Sequence, residues 1–218
     1  MSAQDINVKI REARLDEFEN IGRLNYAVKQ EGGDPLYELL YSEVNAEDWL
    51  NFKWIQGKKN AAASGQAKVI VAEYPTTGQI VGLAAIPKCN PAHPPKAASS
   101  FVPGFNVSEY KKMEAPRLAW KNQMLSVYGG FLFVEPLAVV KEYRGEGIGK
   151  RLMEFIIDEG KKQNLNIAVA PVFKTDAIGF YKKLGFVEVA KPFMLADDTV
   201  KGPNHMLLEI SKPAPTDS

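Results

Sequence analysis

Gly145, Gly147 and Gly149 stand at alternate positions after an apolar run and directly before a helical pattern, with Arg144, Lys150 and Arg151 beside them. Glycines at that spacing let several backbone N–H groups point into one concavity without interference from a Cβ. Free amides at a helix N-terminus carry positive partial charge, so the predicted chemistry is the binding of an anion such as a diphosphate. The same glycines would also serve a plain strand-to-helix reversal, and taken alone they leave that alternative open.

Two nucleotide loops are excluded. A P-loop needs a glycine five residues before its Gly-Lys pair and Ser or Thr after it, where this chain has Arg144 and Arg151. The dinucleotide fingerprint needs Gly or Ala at position 150, which is Lys150.

The elements that must position this turn are legible as patterns. Residues 131–140 form a strongly apolar run, read as a core strand interrupted at Glu135-Pro136. Proline cannot donate to a ladder, so a bulge or parting is expected there, leaving open ladder groups. After Gly149, helical spacing runs through Leu152, Phe155 and Ile156, and Gly160 is expected to weaken the end by about 1 kcal/mol. Upstream, residues 8–11 alternate like a strand, and Asp16 is expected to cap the following helix. Two helical stretches fall between Gly33 and Ala63, with a break over 61–65, and a hairpin joins strands at 69–72 and 80–85. The segment 87–127 begins with turn residues, and 108–124 reads as helix. A strand at 167–170, a helix at 177–184 stopped by Gly185, and strands at 186–189 and 206–210 follow. The pattern is mixed α/β.

Composition narrows the class. The 218 residues carry 27 basic and 26 acidic side chains, a net charge of +1, which gives no drive toward nucleic acid or an anionic membrane. No export signal is visible in residues 1–7, and no apolar run reaches the ~18–20 residues of a membrane span. One cysteine, Cys89, permits no internal disulfide and suggests a reducing compartment, so a cytoplasmic location is expected. Cys89, His93 and His205 make a poor ligand set, and no metal is expected. Cys89 as an acyl-carrying nucleophile would need a nearby base, and only His93 in a Pro-rich segment is close in sequence.

The run from Leu137 to Arg151, an apolar strand ending Leu-Ala-Val followed by Tyr-Arg-Gly-Glu-Gly-Ile-Gly, resembles the GNAT superfamily of N-acetyltransferases. The signature, Arg or Gln, two residues, Gly, one residue, then Gly or Ala, is met by Arg144 through Gly149. A second likeness lies in residues 177–186, and weaker ones cover 8–24 and the hairpin ending at Gly82. Lys141 stands where the family often has Pro, and Lys174 where it often has Asn.

The resemblance implies an α/β fold with a mixed, mostly antiparallel central sheet flanked by helices and a splayed strand pair binding coenzyme A. One domain over 1–210 is expected, with insertions near 33–64 and 87–127 and a disordered tail at 211–218. It implies acetyl-CoA as acyl donor, with Leu137, Ala138 and Val139 beside the pantetheine arm. Arg144, Gly145, Glu146, Gly147, Ile148, Gly149 and Lys150 are then expected to bind the cofactor at its diphosphate. Tyr181 sits where the family has the acid that protonates the departing thiolate. A phenol with pKa about 10 is protonated at neutral pH. Glu135, just before the coenzyme segment, is a candidate base for the amine, and its plain alternative is a solvated strand-end charge.

Tyr37, Tyr41, Trp49, Trp54, Phe101, Phe105, Tyr110 and Trp120 concentrate in the two insertions. These are expected to wall the acceptor pocket, although most of the aromatics are read as core. The expected partner is a small-molecule amine acceptor, acting on a monomer or homodimer. A protein or peptide N-acetyltransferase and a non-catalytic coenzyme A-binding module are the other readings.

Overall fold

A computed structural model describes residues 7–31, 35–171, 175–190, 194–195, 200–201 and 205–210. The tail at 211–218 and Lys174 lie outside the described residues. In chain order the elements begin with β1 (Lys9–Glu12), α1 (Phe18–Glu31), α2 (Pro35–Tyr41), α3 (Ala46–Trp49), a π-helix (Leu50–Lys59) and α4 (Asn60–Ala63). Then come β2 (Ala67–Glu73), β3 (Ile80–Cys89), α5 (Val107–Tyr128), β4 (Phe131–Val134), β5 (Leu137–Val139) and α6 (Ile148–Gln163). The chain closes with β6 (Asn166–Val169), α7 (Thr175–Lys183), β7 (Val187–Ala190), β8 (Met194–Leu195), β9 (Val200–Lys201) and β10 (His205–Leu208). This is the mixed α/β fold expected, with a mostly antiparallel multi-strand sheet and flanking helices.

Contacts divide the chain into two compact units, one holding residues 1–32, 46–87 and 134–159, the other 33–45, 88–133 and 160–218. In the first, β1, β2 and β3 pair antiparallel in sequence order, and β3 then pairs antiparallel with β5. Strand β2 is buried on both faces, as its continuous apolar sequence requires. Phe18, Ile21, Gly22 and Asn25 form the buried stripe of α1 at helical spacing. Gly22 admits the π-helix, since a Cβ there would lie 2.4 Å from Leu50 Cδ1 and 2.9 Å from Trp54 Cγ. Trp54 is fully buried edge-on to Phe18. Ile148, Leu152, Met153 and Ile156 bury the inner face of α6.

The helix entry after β1 differs from expectation. Asp16 makes no cap; the carboxylate of Glu17 accepts the Arg14 backbone N–H at 2.7 Å and also pairs with Arg11. Glu17 wins because it alone faces both donors, while Asp16 is exposed.

In the second unit the end of β3 pairs with β4, and the order continues through β6, β10 and β7. Helix α5 starts where the Asn106 side chain accepts the Glu109 N–H at 3.2 Å, and stops at Gly129, whose φ is +72°. Tyr37, Tyr41, Phe101, Phe105 and Tyr110 pack on one another with Leu36, Leu40 and Met113. Gly160 turns out to be a packing requirement: a Cβ would come within 3.0 Å of Ile167, Ile210 and the Leu165 carbonyl. Removing that methyl lets the end of α6 approach β6, which offsets the propensity cost.

Candidate active site

The interruption at Glu135-Pro136 is a bulge. The carbonyl of Ala85 accepts Glu135 N–H at 2.8 Å while its N–H donates to Pro136 O at 2.9 Å, so two residues oppose one. The register records the extra residue: Lys88 faces Leu132, and four positions back along β3, Ala84 faces Leu137, five positions on. Past the bulge, Val140 N–H donates to Val81 O at 3.0 Å. Alternation along an antiparallel strand then turns the N–H and C=O of Ala138 toward β3 and those of Leu137 and Val139 away from it. The outer edge of β5 is therefore a short row of backbone donors and acceptors.

After a 3-10 turn at Lys141–Tyr143, Gly145 and Gly147 adopt φ of +88° and +75°. A Cβ at either position would meet nothing within 4 Å, so the glycines are there for backbone conformation and not for a close approach. The first helical bond of α6 runs from Arg151 N to Gly147 O at 3.0 Å. The amides of Ile148, Gly149 and Lys150 precede that first turn, where a helix has no internal acceptors to offer. They fit a diphosphate.

Gly82 positions these parts. It faces Val139 across the ladder, and a Cβ on it would lie 3.1 Å from Ile148 Cγ2, 3.2 Å from Leu152 Cδ1 and 3.3 Å from Ala138 O. Only glycine lets α6 settle so closely behind β5. A glycine inside a strand pattern is the signal that marks such an approach.

The structure brings together Glu135, Leu137, Ala138, Val139 and residues 144–150 within the first unit. Glu135 is exposed, at the bulge. The basic side chains around the turn have separate duties. Arg144 Nε donates to Val139 O at 2.9 Å, Lys150 lies 3.5 Å from Glu154, and Arg151 reaches away to Val8 O at 2.7 Å. Lys58, which the sequence did not single out, donates from Nζ to the Glu135 carbonyl at 2.8 Å.

Tyr181 belongs to the second unit, on α7, with its ring edge-on to Phe180 and Phe186. It is 7% exposed, and burial pushes its phenol well above the ordinary tyrosine range, so the hydroxyl stays protonated. Cys89 is buried with Trp120 and Phe131 in the core of that unit. Among the described residues no cluster of three or more His, Cys, Asp or Glu stands ready to hold a metal. No described helix is long and apolar enough to cross a membrane.

Residues 117–188 match the family described as acetyltransferase (GNAT) domain. An uncharacterized N-acetyltransferase of Dictyostelium discoideum is 44% identical over 54 residues, 24% of this chain and 25% of the relative. The chain thus matches a quarter of that curated relative's length. A putative arylalkylamine N-acetyltransferase 7 of the yellow fever mosquito superposes with a TM-score of 0.71 at 15% identity, covering 94% of this chain and 88% of that one. A putative acetyltransferase of Salmonella typhimurium, solved with its cofactor acetyl-CoA, gives 0.56 at 16% identity over 97% of this chain and 99% of its own. Fold, bulged strand and glycine turn define a mixed α/β protein of the acetyltransferase type of fold, with a backbone strand edge leading into a turn of unpaired helix-start amides. The acetyltransferase (GNAT) match falls on the segment that holds the end of α5, β4, the bulge, β5, the glycine turn, α6 and α7.

Proposed function

We propose that the protein transfers an acetyl group from acetyl-CoA to the primary amine of a small molecule by direct attack on the thioester. The observation that carries this reading is the bulge at Ala85, Glu135 and Pro136, which leads into an outward-facing strand edge and an amide cradle in one unit. When bound, acetyl-CoA supplies the activated acetyl carbon and a thiolate leaving group.

In this reading the outward groups of Leu137 and the outward N–H of Val139 bind the pantetheine arm as an added strand, while Arg144 holds the Val139 carbonyl. An outward amide on β5 polarises the thioester carbonyl as negative charge grows on its oxygen. The amides of residues 145–150 hold the diphosphate. Glu135 takes the proton from the acceptor ammonium, directly or through one water, and the freed lone pair forms the new C–N bond. The resemblance gives Tyr181 the proton for the departing sulfur, a duty that suits its buried, protonated phenol, and the second proton shed by the nitrogen as the amide forms restores the phenol through water.

A small amine is favoured over a basic protein tail because the sequence holds no acidic cluster to attract one. The mosquito neighbour, named for arylalkylamines, is consistent with this class. The experiment is thiol release from acetyl-CoA across a panel of arylalkyl and aliphatic amines and N-terminal peptides, beside calorimetric titration of coenzyme A. Turnover on small amines supports the proposal. Turnover on peptides alone replaces the acceptor class, and binding without turnover on either makes the protein a coenzyme A-binding module.

A further inference from the structure

We propose that Lys58 is a positioning residue for acetyl transfer: its ammonium fixes the bulge at Glu135 and thereby sets the direction in which β5 presents its outer edge. The inference rests on the proposed role of β5 as the seat of the thioester arm.

The bulge is a point at which the strand's direction is under-determined. Glu135 N and Pro136 O are both tied to the single residue Ala85, and Pro136 has no N–H with which to add a tether. The bulge also turns the Glu135 carbonyl out of the regular ladder. Lys58 reaches that carbonyl from 77 positions away in sequence, at 2.8 Å. A charge-assisted bond of that length is among the stronger and more directional contacts available to a backbone oxygen.

The base from which Lys58 reaches is itself fixed. It lies in the π-helix Leu50–Lys59, a geometry that is rare and recurs near functional sites because it re-aims side chains relative to an α-helix. One α-turn earlier in sequence, Trp54 is fully buried, and its ring lies 5.8 Å from the Lys58 ammonium. Leu50 and Trp54 are held against α1 by the close approach at Gly22. Lys58 is thus the half-buried end of a packed wedge, and its reach sets where Glu135 and the first residue of β5 stand. No residue-type signal in the sequence points to it.

Two variants test this. Lys58→Met keeps the length and apolar stem and removes the donor; Lys58→Arg keeps charge and donor. Lys58→Met is expected to lower kcat about tenfold, the scale of one charge-assisted hydrogen bond, with KM for the amine unchanged. Its active-site concentration, titrated with coenzyme A, should match that of the wild type. Lys58→Arg should recover most of the loss. Wild-type kcat in Lys58→Met overturns the inference. So does a loss that merely tracks a smaller coenzyme-binding fraction, or one that Lys58→Arg fails to restore. If the unmodified protein neither binds nor turns over acetyl-CoA, the underlying reading of β5 fails instead.

Discussion

Arg144 turns its Nε–H back onto the carbonyl of Val139, 2.9 Å away, and so ties the start of the glycine turn to the last residue of β5. The guanidinium also stands 3.9 Å from Glu31 at the end of α1. The side chain therefore acts on the site first as a donor to backbone. Glutamine, which also carries an N–H at the end of a flexible chain, should keep most of this tie, whereas alanine should lose it. Arg144→Gln is expected to bind coenzyme A within about threefold of wild type, and Arg144→Ala about tenfold more weakly, the worth of one hydrogen bond. Calorimetry at one fixed salt concentration decides it, and equal losses in the two variants would mean that charge matters rather than the bond.

Gly147 separates conformational strain from steric space. Its φ of +75° penalises any side chain, while a Cβ would meet nothing within 4 Å. Gly147→Ala should therefore cost about 1–2 kcal/mol of stability from backbone strain alone. The new methyl, placed in the cradle, should weaken coenzyme A binding further. Denaturant midpoints beside calorimetry will show both. Unchanged binding with lowered stability would leave the turn structural.

Tyr181 offers the test of acid catalysis. Tyr181→Phe keeps the ring in its contacts with Phe180 and Phe186 and removes the hydroxyl. The expected result is a fall in kcat of about a hundredfold, the usual scale for a general acid, with coenzyme A affinity unchanged. Wild-type turnover in this variant would return Tyr181 to the core.

What the sequence disclosed follows from the range of the interactions involved. The strand, turn and helix from Leu137 into α6 were legible because hydrophobic period, proline and glycine all act locally. The sequence pattern ends helix α5 at 124, whereas the helix runs to Tyr128, because the stop is the left-handed Gly129 and not the last apolar residue. Lys58 and Glu135 meet across 77 positions, and Arg151 meets Val8 across 143, so neither pairing leaves a local mark. Asp16 and Glu17 are both good acidic neighbours for a helix start, and only the folded position of Arg11 chooses between them. The packing role of Gly160 leaves no local mark for the same reason: propensity is a property of the segment, and the close approach of Ile167 and Ile210 is not.

His205 should govern the acid stability of the protein. Its ring is 2% exposed, stacks on Trp120 with centroids 4.3 Å apart, and its buried Nε2 has no hydrogen-bond partner among the described residues. Burial first, and then the charges of Arg117 and Lys121, push its imidazole down to about 4 from the ordinary 6.5. The unfolded chain thus takes up a proton near pH 6.5 that the folded protein refuses until about pH 4. Stability from this group is full above 6.5 and falls as pH drops toward 4, by on the order of 3 kcal/mol in total. Glu17, held low chiefly by its hydrogen bond from Arg11, adds its own loss only as pH falls below its usual 4.5. Of these two groups, only the histidine acts over the interval from 6.5 to 4.5. His205→Phe keeps an aromatic face for Trp120 and binds no proton in either state, so its urea midpoint should stay flat across that interval while the wild type declines. Parallel curves for the two proteins would show that the folded protein protonates His205 as readily as the unfolded chain does.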